Sequence, residues 1–161
     1  MWPFSTPELR ILVLCSANIC RSPVAAALLA AHLKEAGLAR RIATASAGTG
    51  VGAPGARADP RMQELARHRG VRLSRHRARE VSDALMAASG IVYVMEEAHL
   101  DAVLQRWPDR AADCSLLDAQ GGPIADPYFG SKAAVRAAFE TIDRACARRA
   151  AELAAELGPP G

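Results

Sequence analysis

Residues 10–37 read RILVLCSANICRSPVAAALLAAHLKEAG. Arg10–Leu14 is an apolar run too short for a stable helix, and it empties into a polar loop. From Pro23 to Ala36 the residues favour helix, with proline near the first turn and Gly37 just beyond the last. The stretch therefore predicts strand, loop and helix in succession, with two thiols and an arginine in the loop.

The same alternation continues downstream. Ile42–Ser46 is a second short strand candidate, and the glycines and Pro54 of residues 48–55 predict a loop. Asp59-Pro60 opens a helix through Arg69 that Gly70 closes, and Ser82–Ala88 is a further short helix. The β-branched and aromatic run Ile91–Met95 is a third strand, followed by a helix from Glu96 to Arg106. Cys114–Leu117 is a fourth strand candidate and Gln120–Pro123 a turn; a long helical pattern from Ser131 to Leu157 ends at Gly158-Pro-Pro. Such an order predicts an α/β fold with right-handed crossovers. It is a three-layer arrangement around a four-stranded parallel sheet, with ligands bound beyond the carboxyl ends of the strands. The loop leaving the first strand, Cys15 to Ser22, lies at that end.

The 161 residues suit one domain spanning 1–161, and half of them are hydrophobic against 23% charged, a globular balance. The net charge of +3 comes from dispersed arginines without a like-charge block, which gives no footprint for nucleic acid. The N-terminal Met1–Arg10 lacks the pattern of a secretion signal, and no apolar run is long enough for a membrane span. A cytoplasmic protein is expected, with its four cysteines reduced. The basic segment Arg57–Arg79 is a solvated face or a docking surface for an acidic partner.

Three chemistries compete for the loop Cys15-Ser-Ala-Asn-Ile-Cys-Arg-Ser-Pro23. A metal site lacks the close cysteine or histidine pairs that zinc prefers, and Arg21 would repel a cation. A dithiol redox centre lacks Cys-x-x-Cys spacing. An anion cradle uses every residue. Backbone amides of Ser16, Ala17, Asn18, Ile19 and Cys20 at a helix start converge on an oxyanion, and the planar fork of Arg21 grips two of its oxygens. In that setting Cys15 is favoured as a thiolate and Ser22 can donate to it. Asn18 suits a left-handed backbone position.

Farther along, Pro127 biases Asp126 to an extended conformation, which fits either an Asp-Pro turn or a carboxyl aimed into a cleft as a general acid. Tyr128 and Phe129 are adjacent aromatics in a chain with only 4% aromatic residues. They fit the walls of an aryl pocket or ordinary packing at a helix start.

The loop resembles the signature of the low-molecular-weight protein tyrosine phosphatases. Ser46-Ala-Gly-Thr49, Ala58-Asp-Pro-Arg61, Ser74-Arg-His-Arg-Ala-Arg79 and Asp126-Pro-Tyr-Phe-Gly130 resemble that family's later motifs in order. The resemblance implies Cys15 as nucleophile, Arg21 as binder of phosphate and transition state, and Asp126 as general acid and base. It also implies a network in which Ser46 and His76 support Asn18. Neither cofactor nor metal is implied. The partners implied are tyrosine-phosphorylated proteins, a tyrosine kinase among them, and inorganic phosphate or another oxyanion in the loop, with no nucleic acid or membrane. A bacterial source and a monomer or weak dimer are expected.

Several positions depart from the family. Ala17 stands where glycine is usual, Ala26 where many relatives carry a supporting glutamate, and residues 48–55 lack the large residue that often lines the cleft. Cys20 fits a small buried residue or a resolving thiol that protects Cys15, as the family suggests; Cys114 and Cys146 read as structural. Two rival activities share the fold. Arsenate reductases need a further cysteine pair, whereas no cysteine falls between Cys20 and Cys114. Protein arginine phosphatases carry threonine where this chain has Ile19.

Overall fold

The computed structural model describes residues 6–159. The ends of the expected 1–161 domain, and Met1–Ser5 of the N-terminal reading, lie outside the described residues.

The first strand, β1 (Leu9–Cys15), sits in the interior of the sheet. On one side it pairs in parallel with β2 (Ile42–Gly48), on the other with β3 (Ile91–Val94), which in turn pairs with β4 (Cys114–Leu116). The order β2-β1-β3-β4 makes the end of β1 the point where successive crossovers diverge, and such a point leaves a crevice for a ligand.

Alternation along β1 divides the core. Ile11, Val13 and Cys15 face one layer, packed against Val24, Leu28 and Leu29 of α1 (Arg21–Glu35) and Phe139, Ile142 and Cys146 of α5 (Lys132–Leu157). Leu12 and Leu14 face the other, with Met86 of α3 (Asp83–Ala88) and Val103 of α4 (Glu97–Arg106). From Ile11 to Cys15 both faces of β1 are thus buried, as expected for a strand in a parallel sheet with helices on both sides. Between β2 and α3 lies α2 (Pro60–His68), capped by Asp59, whose side chain accepts from the amides of Arg61 and Met62.

The boundaries moved in instructive places. Helix α1 begins at Arg21, two residues before Pro23, so Arg21 and Ser22 belong to its first turn rather than to the loop. β2 continues past Ser46 to Gly48, where its last pairing is with Cys15 itself. A Cβ at Gly48 would collide with the Ser16 carbonyl oxygen and lie 2.7 Å from Val51 Cγ2, so only glycine lets β2 run this close beneath the loop. A 3₁₀ turn at Pro108–Asp113 was not anticipated.

Candidate active site

Between β1 and α1 the backbone separates its donors from its acceptors. The carbonyls point outward to fixed partners. Cys15 O accepts from Thr49 N at 2.9 Å, Ser16 O from Gly50 N at 3.0 Å, Asn18 O from His76 Nε2 at 2.7 Å and Ile19 O from Asp59 N at 2.7 Å. The amides of Ser16 through Cys20 donate to nothing among the described residues. Backbone amides are seldom left without a partner inside a protein, and a run of them at a helix N-terminus forms a cradle for an oxyanion.

One residue makes the reversal of the chain possible. Asn18 has φ 57°, the only positive value among the described non-glycine residues, as its residue type predicted. It is fully buried, and its side chain is saturated. Nδ2 donates to Ser22 Oγ at 2.8 Å and Ser46 Oγ at 3.0 Å, and Oδ1 accepts from Arg79 N at 3.0 Å. Ser46 and His76, expected as supports, thus both reach it. Ala17 does not lie at positive φ, so the backbone accepts its methyl group without strain. At Ala26 the carbonyl accepts from Thr44 Oγ1, and the Asn18 network closes without an acidic residue there.

Cys15 is buried, with Sγ 3.0 Å from Ser22 Oγ. The Ser22 hydroxyl also lies 3.3 Å from Ala47 O while it accepts from Asn18. Having one proton, it can donate to the carbonyl when Cys15 is a thiol or to the sulfur when Cys15 is a thiolate. Arg21 is 2% exposed; its Nη1 donates to Ile124 O at 2.7 Å and pairs with Glu96 Oε2 at 3.2 Å. Its Nη2 lies 3.7 Å from Asp126 Oδ2. The fork is therefore held in one plane before any ligand arrives, which is the pre-organisation that charge stabilisation in a transition state needs.

Asp126 stands across the cleft with its side chain 46% exposed, and its Oδ1 accepts from Tyr128 N at 3.1 Å. That short turn leaves Oδ2 toward Arg21. Tyr128 and Phe129 do not pack into the start of α5. Phe129 is 96% exposed, and the two rings meet edge to face with centroids 4.8 Å apart. A cleft of about 300 Å³ brings together Cys15, Arg21, Asp126, Tyr128 and Phe129, with Ala17, Ile19 and Cys20 around its floor. Its remaining side is Gly52 and Ala53, so the wall opposite the aromatics is low, in line with the missing large residue.

Two residues of the site escaped sequence reasoning. Glu96 holds Arg21, and His99, 3% exposed, lies 2.8 Å from Ser16 Oγ through Nε2 while its Nδ1 accepts from Glu96 N at 3.2 Å. An accepting Nδ1 requires the proton on Nε2, so His99 is neutral and donates to Ser16. Burial, with Arg21 nearby, holds His99 below the usual histidine range. Burial also lowers His76, assisted by Arg79 and Arg77, against its bond to Asn18 O. The available signal was Glu96-x-x-His99 at the carboxyl end of β3, the end where sites form in this architecture. Burial, reinforced by the charges of Asp59, Asp126 and Cys15, pushes the Cys20 thiol up to about 12 despite Arg21. Cys20 is consequently a neutral thiol at neutral pH and a slow attacking group in the resting protein. Cys146 is fully buried with Sγ 3.4 Å from Ala25 O, as befits a structural residue.

Comparison with known proteins bears on this geometry. The family model for low molecular weight phosphotyrosine protein phosphatase matches residues 10–158. The chain belongs to that family. A relative from Ralstonia nicotianae, the probable low molecular weight protein-tyrosine-phosphatase EpsP, is 35% identical over 83% of this chain and 88% of its own. Among solved structures, Vibrio vulnificus Wzb in complex with benzylphosphonate superposes with a TM-score of 0.82 at 30% identity, covering 90% of this chain and 99% of that one. The YwlE arginine phosphatase from Geobacillus stearothermophilus gives the same TM-score and identity, covering 92% and 94%. Members of the family are hydrolases, and the four-stranded parallel sheet with its cysteine loop after the first strand is the arrangement shared with these structures.

Proposed function

We propose that this phosphatase hydrolyses phosphotyrosine in proteins through a phosphocysteine intermediate. The observation that carries the reading is the run of unpartnered amides from Ser16 to Cys20, closing with Arg21 around the Cys15 sulfur. Phosphate oxygens occupy the cradle and Cys15 Sγ attacks phosphorus in line. As the S–P bond forms and the P–O bond to the aryl group breaks, Asp126 delivers its proton to the departing oxygen. Arg21 and the amides take up the charge on the equatorial oxygens. Asp126, now a carboxylate, removes a proton from water as that water attacks the phosphocysteine, and Ser22 donates to the departing thiolate.

The pocket favours an aryl ester. Tyr128 and Phe129 supply one aromatic wall, and Ile19 adds an apolar surface without a hydroxyl. The similarity to a solved arginine phosphatase supports a second reading, phosphoarginine hydrolysis, with which the fold is equally compatible. Ile19, in place of that class's threonine, favours phosphotyrosine. The reading goes with the cytoplasmic location in a bacterial cell expected from the sequence, with a tyrosine kinase or its targets as partners.

The test is hydrolysis of an aryl phosphate at mildly acidic pH with chelator present. Cys15→Ser reduces turnover to background, and Asp126→Ala lowers it by roughly 10²-fold, the scale of general acid catalysis. Retained activity in Cys15→Ser would refute the mechanism. Phosphotyrosine and phosphoarginine peptides of one sequence, compared by kcat/KM, decide between the substrates.

A further inference from the structure

The segment that carries Asp126 has no helix or strand from Leu117 to Ser131, so its position depends on discrete tethers. Upstream of Asp126 the nearest are at Ile124, whose amide donates to Met95 O at 2.8 Å and whose carbonyl accepts from Arg21; farther back, Leu117 N donates to Val94 O at 2.8 Å, Arg149 Nε donates to Leu117 O at 3.0 Å and Asp118 lies 3.7 Å from Arg148. Between Ile124 and Tyr128 the hydrogen bonds stay within the segment, Tyr128 N to Asp126 Oδ1 and Gly130 N to Pro127 O, apart from the 3.7 Å approach of Asp126 to Arg21. Downstream, one side chain reaches in from another element. Arg61 of α2 donates through Nη2 to Tyr128 O at 2.7 Å and through Nη1 to Gly130 O at 3.3 Å, and its guanidinium lies 5.9 Å from the centre of the Tyr128 ring.

Arg61 is in turn fixed from the opposite side. Asp59 receives it twice, Nε to Oδ1 at 3.1 Å and Nη2 to Oδ2 at 2.8 Å, in the two-pronged geometry that sets the plane of a guanidinium. Burial works against the charge on Asp59, but the bonds from Arg61 hold its carboxyl below the usual carboxylate range. The amide of Asp59 donates to Ile19 O in the phosphate loop. A continuous path therefore runs from the loop that holds the nucleophile, through Asp59 and Arg61, to the backbone two and four residues beyond Asp126.

We infer that Arg61 is a positioning residue for the general acid: oriented by Asp59, it fixes the downstream half of the Asp126 segment at a set distance from the phosphate loop. The inference rests on the assignment of Asp126 as the proton donor. Without Arg61, no hydrogen bond from another element holds the backbone between Ile124 and α5, where Pro127 alone is buried, and the carboxyl samples positions from which it does not reach the leaving oxygen. Proton transfer tolerates little misplacement, since donor and acceptor must come within hydrogen-bond reach.

The experiment is a leaving-group series. Aryl phosphates are compared by kcat/KM, from a nitrophenol, which departs readily without a proton, to unactivated phenols like the tyrosine side chain, with an ordinary pKa of about 10. Wild type should show a shallow dependence and Asp126→Ala a steep one. Arg61→Ala is expected to steepen the dependence, losing on the order of tenfold more for the unactivated phenol than for the nitrophenol, part of the roughly 10²–10⁴-fold that proton transfer supplies. Arg61→Lys, retaining charge but losing the fork, should lie between. Adding Arg61→Ala to Asp126→Ala should leave the slope where Asp126→Ala put it.

Slopes within one preparation are independent of the fraction folded, so a merely destabilised Arg61→Ala lowers every substrate equally and keeps the wild-type slope. That outcome, with a steep Asp126→Ala, would overturn the role of Arg61 alone. A shallow Asp126→Ala would instead overturn the assignment of the acid on which it rests.

Discussion

The phosphate loop and the Asp126 segment face each other across one cleft and are built in opposite ways. Every carbonyl from Cys15 to Ile19 except that of Ala17 has a partner named above, Asn18 is buried and saturated, and Arg21 is 2% exposed. Across the cleft, Asp126 is nearly half exposed, Phe129 is 96% exposed, and a few tethers do the holding. The difference follows from what each side does. Stabilising charge on a transferring phosphoryl group rewards donors that do not reorganise. Substrate must also enter and product leave, and a segment with few buried contacts is the part that can yield.

The contrast can be broken on the rigid side first. Asn18→Ala places a methyl at φ 57° and removes the donors and acceptor that Ser22, Ser46 and the Arg79 amide now share. Unfolding stability should fall by about 2–4 kcal/mol, combining the left-handed backbone cost with buried polar groups left unpaired. Chemical denaturation measures it. A loss under about 0.5 kcal/mol, the size expected at an ordinary surface position, would show that the cradle is not a stability element.

A smaller effect follows from His99. Its pKa is lowered in the folded state, so the unfolded chain binds the proton more readily and stability falls as pH drops below the ordinary value of 6.5. Protonation gives both ring nitrogens a hydrogen, and Nδ1 then faces the Glu96 amide donor to donor. Melting temperature against pH should decline through this window in wild type and decline less in His99→Gln, measured with His76 intact. Equal slopes in the two proteins would remove His99 from the network.

The smallest structural effect belongs to the exposed side. Phe129→Ala should leave stability within about 0.5 kcal/mol, as surface changes usually do. It should raise KM for phosphotyrosine peptides, with much less change for a small alkyl phosphate. A KM shift of the same size for both substrates would mean that the ring does not contact the aryl group.

What the sequence disclosed was local. The strand, loop and helix of residues 10–37 carry apolar pattern, proline and glycine close together, so Cys15, Asn18, Arg21 and Ser22 could be read from one stretch. Glu96 lies 75 positions from Arg21 and His99 83 positions from Ser16, separations that β-strand crossovers close and no periodicity encodes. Arg61 stands in the motif Ala58–Arg61, yet its tie to Tyr128 spans 67 positions. Helix α1 begins ahead of Pro23 because Arg21 and Ser22 already take helical geometry, whereas the sequence marks the start only by its proline. The Pro108–Asp113 turn is a single short 3₁₀ stretch, for which sequence patterning offers little.

The shared proton of Ser22 has one more consequence. Ala47 O, at the end of β2, keeps the Ser22 hydroxyl as a partner only while Cys15 is uncharged. Ionising the sulfur turns that hydroxyl toward it and the Ala47 carbonyl loses the hydrogen bond, which protonating or alkylating the sulfur restores. A ¹³C label in that carbonyl is therefore a built-in gauge of the nucleophile's state, readable by infrared absorption without a dye or a substrate.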